Sequence, residues 1–398
     1  MKARLGAALF GIGVLSLVVA AGTAFYVAPT VTKLPYDLAL CDADGKPEGC
    51  LRASVAVAEN ARFLQLKEGM PPTVQTGTLE ATTEVVPQAE TTDNEMTGDL
   101  AGEAVVWDVF GTVRWVQTSE VISQYAVEFA LDRVTAEAVQ WDKQYLDTDG
   151  ETSTNDSVQM AGQTYKFPFH TERKDYEYFD RDLRQALPIT FDGTEQVNGT
   201  DTYRFVQVIE ETELNMAADS VNALVGTFAP EATSGKVTYS NTRTIWVEPV
   251  SGNFVKVREQ QKKTLVPDQG ATTTLLDGDF LYTDETIENS LASAGSTRDR
   301  LLLVSRTLPL GLAALGLVLI VVGLLLRRSR TAVAADNPAT PVPAADPAPT
   351  RVDEPPVRED EREGGPLTDE IPPASTNWKS EETTVPTQRS TQGEAQKN

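Results

Sequence analysis

The chain has 398 residues, 40% of them hydrophobic, which is enough for one sizeable buried core. Its formal net charge is −24, with 34 Lys and Arg against 58 Asp and Glu. Because nucleic-acid phosphates are bound by basic surfaces, this balance argues against a nucleic-acid partner. It suits a domain that faces solvent outside the membrane, or one that binds cations or neutral ligands.

The first predicted element is a membrane helix near the N-terminus. Residues 5–28 carry no charge, and about 20 apolar residues are needed to cross a hydrocarbon core. Pro29 is predicted to end this helix. We expect an uncleaved anchor over residues 1–29, because the apolar region of a signal peptide is shorter. The small residues at positions 20–24 leave cleavage as the alternative.

The chain contains two cysteines, Cys41 and Cys50, just after the first membrane segment. The residues between them include Gly and Pro and are able to turn back on themselves, so a local disulfide is expected in an oxidising compartment. Two free thiols are the alternative. A metal site is not expected there, because the only histidine, His170, is distant in sequence.

Residues 30–300 are predicted to form an extracytoplasmic domain that is mainly β (α+β), with an antiparallel sheet. Apolar and polar residues alternate in many short runs, which is typical of half-buried strands. The clearest runs cover residues 104–116, 125–134, 203–209, 242–247, 254–257 and 275–282. Turn dipeptides separate them, and Asn198-Gly199 predicts a hairpin. Helices are predicted over residues 51–66, 216–228 and 283–300.

Individual residues in this domain offer little evidence of catalysis. His170 is accompanied by no G-x-S-x-G or H-E-x-x-H motif, so it is interpreted as a structural or surface residue. The acidic residues Asp147, Asp149, Glu151 and Asp156 do not match the spacing of a calcium-binding loop and are interpreted as solvated turns. We therefore expect no enzyme activity, no metal and no cofactor.

Residues 165–191 are the richest part of the chain in aromatic and basic side chains. Rings and cations together bind lipid headgroups or glycans through ring faces and cation–π contacts. The candidate ligand-binding residues are Tyr165, Lys166, Phe167, Phe169, Lys174 and Tyr176. The alternative is a segment that crosses the core, where these rings simply pack.

A second membrane helix is predicted over residues 307–326, within a C-terminal membrane region at residues 301–330. Arg327, Arg328 and Arg330 follow this helix, whereas Lys2 and Arg4 precede the first one. Because positive residues stay on the cytoplasmic side of the plasma membrane, both termini are predicted to be cytoplasmic. The two assignments agree only if residues 30–300 lie on the outer side.

Glycines occur in both predicted membrane helices. They are Gly11 and Gly13 in the first helix, and Gly311, Gly316 and Gly323 in the second. Glycine at a helix interface lets two backbones approach closely. The two interpretations are close helix packing and ordinary transmembrane glycine without a packing role.

Residues 331–398 are predicted to be a cytoplasmic tail. Eleven of the 23 prolines lie there, with many acidic residues and Trp378 as the only aromatic residue. A segment of this composition cannot bury enough apolar surface to offset the entropy lost on ordering. The sequence therefore predicts a disordered, acidic, Pro-rich tail.

Several motifs together resemble a family of actinobacterial envelope proteins of unknown function, often called PorA-family porins. The motifs are Tyr165-Lys166-Phe167-Pro168-Phe169 followed by Thr171, Lys174, Tyr176, Asp180 and Pro188, together with Trp107-Asp108, Tyr203-Arg204-Phe205, residues 239–244, residues 246–249, Leu276-Asp277 and Tyr26-Val27-Ala28-Pro29. The resemblance covers residues 1 to about 326 and leaves the tail outside. It implies a single domain held by a helix at each end, without assigned catalytic residues, in a host with a mycolate-type or related envelope.

The resemblance also implies a role in handling envelope lipids or in maturing lipoglycans. We therefore expect a non-enzymatic envelope protein that binds membrane lipid or lipoglycan as an accessory factor, with envelope-biosynthesis proteins as candidate partners. One alternative is a porin or channel subunit, which predicts oligomerisation. The other is a scaffold or receptor that acts through its cytoplasmic tail.

Overall fold

The computed structural model describes residues 2–36, 53–67, 69–148 and 156–328. Within these residues, twelve strands form one antiparallel sheet, and long apolar helices precede and follow it. The predicted fold class, mainly β with an antiparallel sheet flanked by two membrane-type helices, is confirmed. The predicted tail, residues 331–398, lies outside the described residues.

The strands follow each other along the chain with few helices between them. They are β1 (Ser54–Gln65), β2 (Thr73–Pro87), β3 (Ala104–Trp115), β4 (Glu120–Asp132), β5 (Tyr145–Asp147), β6 (Asp156–Ser157), β7 (Tyr176–Asp180), β8 (Gln185–Val197), β9 (Thr200–Glu213), β10 (Gly235–Val247), β11 (Phe254–Pro267) and β12 (Thr273–Tyr282). Hydrogen bonds join them in the order β6-β5-β4-β3-β2-β1-β12-β11-β10-β9-β8-β7. The first and last long strands therefore pair with each other and join the two halves of the sheet.

The helices frame this sheet. They are α1 (Lys2–Gly22), α2 (Ala28–Val31), α3 (Ala89–Glu95), α4 (Ala218–Phe228), α5 (Asp284–Leu302) and α6 (Leu308–Arg328). A π-helical turn, Thr23–Val27, joins α1 to α2, and a second one, Leu303–Thr307, joins α5 to α6. The helices predicted over residues 216–228 and 283–300 correspond to α4 and α5.

Alternation along each strand separates an interior face from an exterior face. On β3, Trp107 and Val109 point into the interior core, whereas Val106 packs on the opposite face beneath α3. The register places Trp107 opposite Phe129 of β4. Side chains of successive residues point to opposite faces of a sheet, so this register brings the interior side chains of neighbouring strands together.

The predicted hairpin at Asn198-Gly199 joins β8 to β9. Asn198 has φ 46° and Gly199 has φ 83°. Positive φ at both central residues is what a two-residue hairpin turn of the mirror-image type requires, and Asn-Gly adopts it most readily. The turn residues therefore fix the register between these two strands.

The helix predicted over residues 51–66 is wrong, because residues Ser54–Gln65 form β1. The run is rich in alanine, which favours a helix locally. Ala58 is nevertheless fully buried, and it faces Leu79 across the pairing with β2. Pairing with strands on both sides outweighs the local preference of this segment.

Loop residues connect the β4 side of the curved sheet to β7. Ala138 donates its amide hydrogen to the carbonyl oxygen of Gly162, and Gln163 donates its own to Glu177 of β7 at 2.6 Å. Leu131 of β4 forms a further bridge with Ala138. These short connections link the β4 side of the sheet to β7, so the curved sheet encloses an interior.

Side chains fill much of this interior. One cluster of large residues contains Phe167, Tyr176, Phe205, Ile245 and Val247. A second cluster packs α4 against β10, β11 and β12 through Leu224, Val225, Val237, Leu265 and Leu275. Leu34, just after α2, is also buried, and its amide hydrogen bonds to the carbonyl oxygen of Arg133 at 2.7 Å.

The first and last helices pack side by side through glycine. Opposed glycines pair Gly6 with Gly323 and Gly13 with Gly316. A Cβ atom on Gly13 would lie 2.7 Å from the carbonyl oxygen of Gly316, so only glycine permits this approach. Close packing therefore applies to Gly13, Gly316 and Gly323, whereas Gly11 and Gly311 have nothing within 4 Å.

Both helices are long and apolar enough to cross a membrane, the first over Arg4–Val31 and the second within Asp284–Arg328. The first continues beyond Pro29, so the prediction that Pro29 ends it is wrong. A π turn precedes Pro29, which therefore lies in the first turn of α2. Proline fits at that position because the π-helical turn already departs from the regular i→i−4 hydrogen bonding that proline would interrupt.

Candidate functional site

One wall of the enclosed interior consists of small side chains. The register aligns Ala56 with Ala81, Ala81 with Val113, and Val113 with Ser123, across β1 to β4. Protein interiors are otherwise close-packed. Because this row of small residues does not reach the facing wall, a cavity of about 240 Å³ remains between them.

Glycine also shapes this wall. Gly111 of β3 lies directly opposite Tyr125 of β4, and a Cβ atom on Gly111 would overlap the Tyr125 ring. The ring therefore lies flat across the glycine, which holds it beside the cavity. The same arrangement places Trp115 over Gly77 of β2.

The facing wall is polar and is centred on Arg243 of β10. Its Nε donates to Glu259 Oε1 at 2.6 Å, its Nη2 pairs with Asp180 Oδ2 at 3.1 Å, and its Nη1 donates to the Gln207 side-chain oxygen. The guanidinium carbon also lies 4.9 Å from the centre of the Tyr178 ring. All three guanidinium nitrogens therefore have partners.

Charge pairing controls the ionisation of this wall. Burial alone would raise the pKa of Glu259, but the charge and hydrogen bond of Arg243 hold that pKa below its usual value. The pKa of Arg243 is raised, because neighbouring carboxylates outweigh the effect of its burial. Burial raises the pKa of Tyr239, whose hydroxyl donates to Asp180. Arg243 and Glu259 are thus both ionised at neutral pH, whereas Tyr239 is neutral.

A second ion pair completes the polar wall. Lys263 Nζ lies 2.5 Å from Asp182 Oδ1, and together with Arg181 it holds the pKa of Asp182 low despite burial. Arg181 itself lies with its guanidinium carbon 3.8 Å from the centre of the Tyr125 ring. Arg181, Asp182, Arg243, Glu259 and Lys263 all line the cavity.

The site is therefore one cavity between an apolar wall and an ionic wall. Binding sites for small molecules and lipids have this character, with mostly apolar linings and a few polar groups that orient the ligand. Within the described ranges, no group of three or more His, Cys, Asp or Glu side chains is arranged to hold a metal ion.

The family model described as Porin PorA matches residues 5–325. The chain belongs to the PorA family. The resemblance seen in its sequence motifs is thereby confirmed. A relative named Porin PorA, from Corynebacterium resistens, is 40% identical over 53 residues, which is 13% of this chain and 13% of the relative.

Among the candidate residues of this PorA-family chain, Tyr165 alone lines the cavity. Its hydroxyl lies 3.4 Å from that of Tyr125. Phe167 and Tyr176 belong to the buried aromatic cluster, with their ring centres 5.0 Å apart. These two rings pack in the core, as the alternative interpretation of this segment predicted.

Lys166 is buried and anchors a loop. Its Nζ donates to the carbonyl oxygens of Phe167, at 3.1 Å, and of Ser251. Burial lowers the pKa of Lys166 to about 7, although the charge of Glu248 opposes that change. The side chain therefore ties the segment before Phe167 to the turn between β10 and β11.

The two remaining candidates lie away from the cavity. Phe169 is partly buried, with Lys166 Nζ 4.7 Å from its ring centre. Lys174 is exposed and forms a salt bridge of 2.8 Å with Glu172. Lys174 Nζ also lies 5.2 Å from the centre of the Tyr176 ring. Several of the six candidate residues therefore contact one another, and their binding of a ligand stays a prediction.

Other predicted residues are dispersed. His170 is exposed and has a positive φ of 57°. Asp147 lies at the end of β5. Cys41 and Cys50 lie outside the described residues, as do Asp149 and Glu151, so the local disulfide stays a prediction.

The sequence pattern did not predict the residues of the polar wall. Glu259, Gln261 and Lys263 alternate along β11, which is also the pattern of an ordinary solvent-facing strand. A second missed feature is the pair Asp108 and Glu128, which face each other on β3 and β4. Burial and the nearby Asp108 raise the pKa of Glu128 to about 7.

Proposed function

We propose that this PorA-family protein is a non-enzymatic membrane protein of the cell envelope whose β domain binds lipid or lipoglycan in its interior cavity. The observation that supports this function is the pairing of an apolar wall with an ionic wall around one cavity. An apolar wall favours hydrocarbon, because burying it removes apolar surface from water. The ionic wall faces the polar part of the same molecule.

The proposed orientation places the β domain on the outer side of the plasma membrane. Lys2 and Arg4 flank one helix, and Arg327 and Arg328 end the other. Positive residues favour the cytoplasmic side, so both termini are cytoplasmic. In this arrangement the cavity faces envelope lipids or the proteins that synthesise and transport them.

The size of the cavity limits what it encloses. A cavity of about 150 Å³ binds benzene, and drug-sized ligands occupy about 300–1,000 Å³. At about 240 Å³, the cavity holds a short chain or one end of a longer lipid, and the rest of that lipid stays outside.

Native mass spectrometry of the full chain, purified from host membranes, tests the proposal. The parent protein is expected to carry a bound lipid or lipoglycan mass. Ala81→Trp fills the cavity from its apolar wall and is expected to lose that mass. Val208→Trp is the matched control, because Val208 is 58% exposed. A parent protein without any bound mass refutes the proposed function, as does equal retention by Ala81→Trp.

A channel subunit is the second candidate, because the family and the relative are both named as porins. This function requires an oligomer, since one pair of closely packed apolar helices leaves no polar path between them. Planar-bilayer recordings of the purified full chain separate the two functions. Steady conductance that Ala81→Trp leaves unchanged favours the channel, whereas bound lipid without conductance favours the cavity.

A further inference from the structure

The cations of the cavity differ in how well they are paired. Arg243 is matched by Asp180 and Glu259, and Lys263 is matched by Asp182 at 2.5 Å. Arg181 comes no closer than 4.0 Å to Oδ2 of Asp182, whereas Lys263 binds Oδ1 of the same carboxylate at 2.5 Å. Arg181 is thus the cation of the polar wall with the weakest ion pair.

Arg181 also keeps its hydrogen-bond donors available. It donates to no residue that the structure describes, and its side chain remains 33% accessible although it lines the cavity. Its guanidinium carbon lies 3.8 Å from the Tyr125 ring centre. A cation–π contact uses the face of the guanidinium and leaves the N–H groups at its edge free.

The position of Arg181 relative to the apolar wall completes the site. The Tyr125 ring that holds Arg181 lies over Gly111 of β3, in the same wall as Val113 and Ala81. Arg181, from the turn after β7, therefore reaches across the interior to the apolar side. A molecule along that wall meets the guanidinium at its end.

We propose that Arg181 binds the anionic group, a phosphate or carboxylate, of an amphiphile whose hydrocarbon chain lies along the apolar wall. The inference rests on the proposed function and adds the chemical class of the ligand. A guanidinium presents two parallel N–H donors, which match the oxygens of a phosphate or carboxylate. Arg243 already donates to three partners and Lys263 is paired with Asp182, so Arg181 is the cation of the polar wall with the most unused donors.

Isothermal titration calorimetry on the full chain in amphipol tests this assignment with three probes. Octyl phosphate has a hydrocarbon chain and an anionic group. Octyl glucoside has the same hydrocarbon chain with a neutral group, and inorganic phosphate is the anion alone. Octyl phosphate is expected to bind at one site, at least about tenfold more tightly than either other probe. Arg181→Gln is expected to remove that advantage and to leave the affinity for octyl glucoside unchanged.

The control variants distinguish the role of Arg181 from the binding of an amphiphile as such. Arg258→Gln changes an exposed arginine paired with Asp279 and is expected to leave all three affinities within about twofold. If Arg181→Gln fails to fold, Arg181→Lys keeps the charge but not the paired donors, and an intermediate affinity for octyl phosphate is expected. Octyl phosphate affinity unchanged by either variant overturns the role of Arg181 while amphiphile binding stands.

Two further outcomes decide the ligand class. Inorganic phosphate that binds as tightly as octyl phosphate shows a simple anion site and overturns the amphiphile assignment. A parent chain that binds neither octyl compound refutes the proposed function itself, and the inference with it. Ala81→Trp, in which the cavity is filled, gives the background heat from octyl compounds that partition into the amphipol.

Discussion

Replacing Arg243 with methionine tests the polar wall most directly. The substitution keeps an unbranched side chain of similar reach but removes the cation between Asp180 and Glu259. The Arg243 side chain is 8% exposed and that of Asp180 is 1% exposed, so water cannot take over the lost interactions. Removing one partner of a buried ion pair typically costs about 3–5 kcal/mol.

This loss translates into a large thermal shift. For a domain of about 150–250 residues, each kcal/mol lowers the melting temperature by about 2–4 °C, so Arg243→Met is expected to melt about 6–20 °C below the parent. Intrinsic tryptophan fluorescence of the full chain in detergent follows the transition, because Trp107 and Trp246 are buried in the β domain. Arg258→Met is the matched control. Arg258 forms an exposed ion pair with Asp279, and its loss is expected to lower the free energy of unfolding by less than about 1 kcal/mol.

The stability difference between the parent and Arg243→Met is also expected to depend on pH. The lowered pKa of Glu259 means that its stabilising effect is complete above its ordinary pKa of about 4.5 and is lost as the pH falls below that value. In Arg243→Met the burial of Glu259 is no longer offset, so the pKa of Glu259 rises and its carboxyl becomes protonated at mildly acidic pH, which lowers the cost of burying it. The difference between parent and variant is therefore expected to shrink from pH 7 to about pH 4. A cost below 1 kcal/mol at pH 7, or a difference independent of pH, would refute this account of the wall.

Three further predictions concern other parts of the chain. Gly13→Leu is expected to separate the two long helices, seen as a longer distance between spin labels at their ends, whereas Gly11→Leu leaves that distance unchanged because nothing lies within 4 Å of Gly11. Because the pKa of Glu128 is raised to about 7, the folded state keeps a proton that the unfolded chain releases near pH 4.5, so stability falls as the pH rises between these values. Melting curves at pH 5 and 7 are expected to show this fall in the parent and not in Glu128→Gln, and an equal fall in both contradicts it. The pKa of Lys166, about 7 against an ordinary 10.5, has the opposite effect: stability rises from pH 7 towards 10.5 in the parent and stays level in Lys166→Met.

The strand pattern was readable from the sequence because each strand has one interior and one exterior face. Alternation placed β3 within one residue of its observed end, and Asn198-Gly199 located the hairpin that joins β8 to β9. Strand β1 was predicted as a helix, since alanine is a good helix former and one of the two partner strands of β1, β12, is distant in the chain. Pairing with β12, more than 200 residues away, is invisible to any local pattern.

The aromatic segment at residues 165–191 shows what a local sequence pattern cannot predict. Its composition predicted a ligand-binding surface, and Tyr165 does line the cavity. Phe167 and Tyr176 pack in the core instead. Whether a ring faces a ligand or other rings depends on which strands lie beside it, and composition carries no information about those neighbours.

By itself, the sequence determined the membrane-type helices, the antiparallel β class and the family, because each depends on short-range periodicity, on hydrophobic length or on motifs. The tertiary structure alone decided the cavity and its two walls. The small residues Ala56, Ala81 and Val113 belong to three strands, and the cations Arg181 and Arg243 come from a turn and a strand of the other half of the sheet. Only the curling of the sheet brings these residues to face one another, since an alternating strand reads the same whether its polar face meets solvent or an enclosed interior.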